Sequence, residues 1–163
     1  DLPLLPSPNS LTVLMTIPRF CGVSGFCEIQ PSLENYWRGI ILFGRNVASY
    51  KFAMAKSLLE LSEGGKTFVT IEELARPFSR HLVEHVEGGC RQATSKSSRV
   101  LDTCKQFSQG ETTETQLLDI VAKLGFNNVI DAFHIVNNEE IPLRFYHDER
   151  DGTNKGIRLT DEV

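Results

Sequence analysis

The chain has 163 residues, which is room for one domain, and its hydrophobic (40%) and charged (23%) fractions are those of an ordinary folded protein. A formal net charge of −4 excludes a generally basic nucleic-acid coat protein. No apolar run reaches the roughly 18 residues of a membrane span. Since none of the four cysteines is in C-x-x-C spacing, we expect reduced thiols in a cytoplasmic protein.

Residues 1–32 differ from the rest of the chain. They hold five of the seven prolines and only three charged residues. We expect an irregular lead-in there, with at most one short strand. Residues 33–163 show helical and strand patterns, and they are predicted to form a single, mainly helical domain.

The strongest helical pattern covers residues 33–63, and Ser32 before it is a typical N-cap. The pattern predicts a mostly buried helix with one polar stripe. The stripe consists of Arg38, Arg45, Ser49 and Lys56. The Gly-Arg-Asn run at residues 44–46 favours a kink or a break. Lys51 favours the break too, because it falls on the apolar side of a continuous helix.

Two capping boxes start the next helices. Thr70 with Glu73 starts a helix that Pro77 is expected to divide, and Thr113 with Gln116 starts another that ends at a glycine. Between them lies a Ser/Lys/Arg-rich stretch, in which residues 97–107 are predicted to be helical.

The end of the chain has a helix–turn–helix–hairpin order. A short helix is predicted at residues 128–136, followed by strands at 143–147 and 156–160. This order is winged-helix-like, but the helix in the recognition position has no Lys or Arg and carries Asp131. We therefore expect it to pack or to bind protein rather than to read DNA. The predicted fold is mainly α, a helical domain with a small C-terminal β-hairpin.

One motif resembles a metal site. His81, Glu84 and His85 match H-x-x-E-H, in which two histidines one helical turn apart hold zinc and the glutamate is the general base. No third ligand is evident, and the histidines flank the apolar stripe of an amphipathic helix. We expect no metal, no cofactor and no catalytic residue in this chain. A zinc hydrolase is the third functional hypothesis.

The charges are unevenly distributed. Residues 1–110 have 12 basic and 10 acidic residues, whereas residues 111–163 have 5 and 11, a net charge of −6. A local cationic face on an acidic protein is typical of a phosphate partner such as DNA. The predicted phosphate contacts are Arg38, Arg45, Lys56, Arg91, Lys96 and Arg99. Alternatively, these side chains pair with carboxylates of the C-terminal part.

Three stretches together carry a family resemblance. They are YWRGIILFGRNVASYKFAMA at residues 36–55, GFNNVIDAFH at 125–134 and GIRLTD at 156–161. They resemble the N-terminal region of bacterial proteins that carry a C-terminal HNH endonuclease domain, over about residues 33–163. The sequence has four histidines and no ββα run with the HNH spacing, so the nuclease module itself is absent from this chain.

The resemblance implies a non-catalytic module of an HNH-type nuclease of restriction or phage-defence type. Such a module contacts DNA or positions the nuclease, so the expected partners are DNA and a nuclease domain or partner subunit. The alternative is a protein-interaction or assembly module, in which Trp37 and the acidic C-terminal part meet partner chains.

Overall fold

The computed structural model describes residues 32–43, 48–88, 98–153 and 155–163. Apart from Ser32, the predicted lead-in lies outside the described residues. The predicted break at residues 44–46 lies outside them as well.

The described residues are mainly helical. The helices are α1 (Leu33–Phe43), α2 (Ala48–Glu63), α3 (Ile71–Glu87), α4 (Arg99–Ser108), α5 (Glu114–Ile120) and α6 (Val129–Ala132). A π-helical turn, Val121–Gly125, continues α5. With a small C-terminal antiparallel sheet, this is the predicted fold class.

Local hydrogen bonds start the helices where the sequence predicts. The Thr70 hydroxyl accepts from the Glu73 N–H (3.2 Å), and the Glu73 carboxylate accepts from the Thr70 N–H (3.1 Å). Thr113 and Gln116 form the same reciprocal pair. Each box satisfies two backbone donors that the first helical turn leaves open, which is why α3 and α5 begin there.

The predicted division of α3 at Pro77 is wrong. The helix runs unbroken through this residue, which is buried between Leu74 and Phe78 on the core side. Proline removes one helical hydrogen bond, and the burial of this apolar face offsets that loss.

The predicted C-terminal hairpin is confirmed, and a third strand joins it. Strands β4 (Tyr146–Glu149) and β5 (Gly156–Leu159) are antiparallel, and β1 (Phe68–Thr70) pairs with the other edge of β5. A Cβ at Gly156 would lie 2.3 Å from the Val69 carbonyl oxygen, so only glycine permits this close approach of the two backbones.

The helix predicted at residues 128–136 is shorter than expected. Only α6 is helical, and Ile135–Val136 (β2) pairs with Glu139–Glu140 (β3) in a small hairpin. Asn137 (φ 52°) and Asn138 (φ 69°) form its turn in the left-handed region, which asparagine tolerates well. Val129 and Ile130 of α6 are buried, so this side of the helix packs rather than presenting a reading face.

The core lies where α2 crosses α3. Residues from both helices are fully buried there, among them Met54, Leu58, Leu74, Phe78 and Leu82. The polar stripe predicted across residues 38–56 is correct for the exposed Lys56 and wrong for Ser49, which is buried. Ser49 lies on the side of α2 that faces the rest of the fold.

Candidate functional site

An apolar groove of about 200 Å³ lies between the start of α1 and the last residues of the chain. We call it the Trp37 groove. It is lined by Leu33, Glu34, Trp37, Leu59, Phe145, Glu162 and Val163. Leu33 is 42% exposed, between Leu124 (39%) and Leu42 (56%) among the exposed large apolar side chains of the described residues.

The position of Trp37 follows from the first turns of α1. The Ser32 hydroxyl accepts from the Asn35 N–H (3.2 Å) and caps the helix. Ile40, one turn after Trp37, is fully buried, so this face of the helix points inward. The Trp37 ring meets Phe145 edge-on, with centroids 4.7 Å apart, and it remains half-buried.

The floor of the groove depends on His134. The Phe145 N–H donates to Nε2 of His134 (3.1 Å), and the two rings are stacked at 6.1 Å. His134 is 1% exposed. Burial lowers its pKa to about 4, helped by the charges of Arg144, Lys51 and His147. The ring is therefore neutral at pH 7, with its proton on Nδ1 so that Nε2 can accept from Phe145. With this tautomer Nδ1 does not accept from Arg144, whose Nη1 is 3.4 Å away.

The C-terminal residues close one side of the groove. The Thr160 N–H donates to the Phe145 carbonyl (3.1 Å), and the Thr160 hydroxyl donates to the Arg144 carbonyl (2.7 Å). These bonds hold the following residues beside α1. The rim is acidic: Glu34 pairs with Arg38, whereas Glu162 has no ion pair within the described part of the chain.

A buried lysine binds the segment that carries His134. Lys51 is 1% exposed and donates to the carbonyls of Phe133 (3.3 Å) and Ile135 (2.9 Å). Among the described residues, no carboxylate is within ion-pair distance of it. Burial lowers its pKa to about 8. Its off-pattern position in the sequence is explained by these two bonds, which connect α2 to the segment after α6.

The predicted phosphate contacts are only partly described. Arg38 is ion-paired with Glu34 of its own helix. Lys56 is exposed, with its ammonium 5.0 Å from the centre of the Phe52 ring, and Arg99 is exposed at the start of α4. Arg45, Arg91 and Lys96 lie outside the described residues. DNA contact by this set stays a prediction.

Among the described residues, four of the eleven C-terminal carboxylates pair with C-terminal arginines. Arg150 pairs with Asp131 and Asp148, and Arg158 pairs with Glu149. In the described part of the chain, none of these acidic residues pairs with Arg38, Lys56 or Arg99. The alternative, in which carboxylates of residues 111–163 pair with these cations, is therefore not observed for the three that are described.

At the H-x-x-E-H segment, two carboxylates approach the His81 ring. Nε2 of His81 is 3.4 Å from a Glu60 oxygen, while its Nδ1 is 3.3 Å from a Glu84 oxygen. The two carboxylates thus approach opposite sides of one imidazole, whereas zinc needs ligands arranged around a common point. No group of three metal-ligating side chains occurs among the residues described.

Cys104 is a poor nucleophile. Its thiol is free and fully buried, and burial raises its pKa to about 12. Reactive cysteines need an accessible thiolate with a lowered pKa, so this residue serves packing. Cys90, which follows His85 by five residues in the sequence, lies outside the described residues.

Comparison with known proteins identifies no relative. No family model, no curated protein and no solved structure matches the chain. In the described part of the molecule, every helix is too short or too polar to cross a membrane.

Proposed function

We propose that this chain is a non-catalytic module that positions a partner polypeptide through the Trp37 groove. In the context that the sequence resemblance implies, the partner is an HNH-type nuclease domain. The observation that carries the proposal is an aromatic, apolar groove whose edge residue, Leu33, is well exposed. Its proposed location is the cytoplasm.

The composition of the groove supports protein docking over chemistry. Tryptophan is enriched among residues that dominate binding energy, and such residues lie in pockets that exclude water. Glu34 and Glu162 are the acidic residues of the lining, and among the described residues no histidine, cysteine or lysine accompanies them. The groove therefore offers mainly apolar area for binding.

The proposal is tested on the complete product of the gene, once the reading frame beyond Val163 has been sequenced. Leu33→Ser is expected to lower the rate of DNA cleavage about tenfold at limiting partner occupancy, because it removes roughly 1.5 kcal/mol of apolar burial at the interface. Leu124→Ser is the matched control, since Leu124 is similarly exposed (39%) and does not line the groove. Cleavage is followed on supercoiled plasmid.

Two results would contradict the proposal. One is a Leu33→Ser protein that cleaves at the wild-type rate. The other is a gene context that encodes no nuclease domain, either in the same polypeptide or beside it.

DNA contact is the second candidate function. It is favoured by Lys56 and Arg99, which are exposed and have no carboxylate partner among the described residues. If they touch phosphates, Lys56→Ala/Arg99→Ala should weaken binding about equally for all duplex sequences and flatten the log–log salt slope by about two. Lys123→Ala, another exposed lysine, is the control. Fluorescence anisotropy with two unrelated duplexes measures both quantities, and an unchanged slope would reject these contacts.

A further inference from the structure

We infer that the occupant of the Trp37 groove is a basic, apolar segment: one large apolar side chain flanked by Lys or Arg. This inference rests on the proposed function and names the chemistry of the partner.

The size of the groove favours a side chain over a free small molecule. Its volume of about 200 Å³ is below the roughly 300–1,000 Å³ of sites that enclose drug-sized ligands or cofactors. Of the seven described residues that line it, five are apolar: Leu33, Trp37, Leu59, Phe145 and Val163. A single leucine, methionine or aromatic side chain matches this space and this lining.

The rim supplies the charge preference. Glu34 and Glu162 line the groove, and Asp161, which precedes Glu162 in the sequence, is exposed. Arg38 already binds Glu34, but Glu162 has no ion pair within the described residues. No basic residue belongs to the lining itself in the described part of the molecule. A partner with Lys or Arg beside its apolar anchor is therefore attracted, whereas an acidic one is repelled.

Trp37 provides the measurement, because it is the only tryptophan of the sequence. The probes are three tryptophan-free amphipathic peptides with identical leucines and with Lys, Gln or Glu at every polar position. Titrating the full chain with the Leu–Lys peptide should shift the Trp37 emission to the blue, with saturation. The Leu–Glu peptide should bind at least tenfold more weakly, and the Leu–Gln peptide should be intermediate.

Variants separate the contribution of the acidic rim from that of the apolar lining. Glu34→Gln/Glu162→Gln should weaken the Leu–Lys peptide at least fivefold and leave the Leu–Gln peptide unchanged. Leu33→Ser should weaken both peptides, whereas Leu124→Ser should weaken neither. This pattern excludes general adsorption of a cationic peptide to an acidic protein.

The other outcomes overturn the inference. Equal binding of the Lys and Glu peptides, abolished by Leu33→Ser, leaves the docking groove in place and rejects the basic occupant. No Trp37 response to any peptide rejects it as well, while the plasmid-cleavage experiment judges the proposed function separately. A Trp37 emission that changes when the protein alone is diluted identifies a second copy of this chain as the occupant.

Discussion

Replacing Lys51 by alanine is expected to lower the free energy of unfolding by about 2–4 kcal/mol. The change leaves the Phe133 and Ile135 carbonyls without their buried donor, at a cost of roughly 1–3 kcal/mol for each. It also leaves a cavity where the lysine stem packs. Relief of the buried charge, which has no carboxylate partner among the described residues, offsets part of the loss. Urea unfolding followed by circular dichroism measures the difference.

Lys51→Met separates the two contributions, because it keeps most of the packing and removes the ammonium. We expect it to be less destabilising than Lys51→Ala. Lys56→Ala, on the exposed side of the same helix, should stay within about 0.5 kcal/mol of wild type. If Lys51→Ala is as stable as Lys56→Ala, the ammonium is not bonded as described.

The pH dependence gives the same residue an independent signature. Between pH 8 and about 10.5 the unfolded chain keeps the Lys51 proton, whereas the folded chain has lost it, so this residue makes stability rise with pH. Cys104 and Tyr146, whose pKa values burial raises, act in the opposite direction at alkaline pH. The informative quantity is therefore the stability of wild type minus that of Lys51→Met, which should rise by up to about 3 kcal/mol across this window.

The second large effect is expected at acidic pH, from His134. Its pKa is about 4 in the folded chain, against 6.5 for an ordinary histidine. The unfolded chain thus takes up a proton as the pH falls from 6.5 towards 4, while the folded chain resists, and up to about 3 kcal/mol of stability is lost. Protonation of Nε2 would break its bond to the Phe145 N–H and add a positive charge near Lys51, Arg144 and His147.

His134→Gln is the control for this prediction, because its amide oxygen accepts a hydrogen bond without titrating. The wild-type stability should fall relative to this variant between pH 6.5 and 4. The carboxylates of Glu73 and Asp148 are stabilised by Lys66 and by Arg150, which lower their pKa values, so they act mainly at the acidic end of this window or below it. Parallel pH profiles for the two proteins would mean that His134 is not buried as a neutral acceptor. Trp37 emission reports the protonation of His134 as well, because Phe145 contacts both the Trp37 ring and the His134 ring.

Two parts of the candidate site could be predicted from the sequence, under the protein-interaction alternative. They are Trp37 and the acidic C-terminal residues. Their proximity was not predictable, because it depends on Phe145 and on the bonds of Thr160, which are more than 100 residues from Trp37 in the sequence. The H-x-x-E-H motif was visible in the sequence, but the spacing says nothing about Glu60, one of whose carboxylate oxygens lies 3.4 Å from Nε2 of His81.

What the sequence by itself determined is the local structure. The capping boxes at Thr70 and Thr113 join residues three positions apart, and the β4–β5 hairpin joins residues 7 to 13 positions apart, so patterns along the chain predict them. Tertiary structure decided the features that depend on distant partners. Strand β1 pairs with β5, almost 90 residues later in the sequence. The Lys51 ammonium donates to carbonyls that are more than 80 residues away. A buried polar group must find its partner wherever the fold brings one, and no local pattern encodes that position.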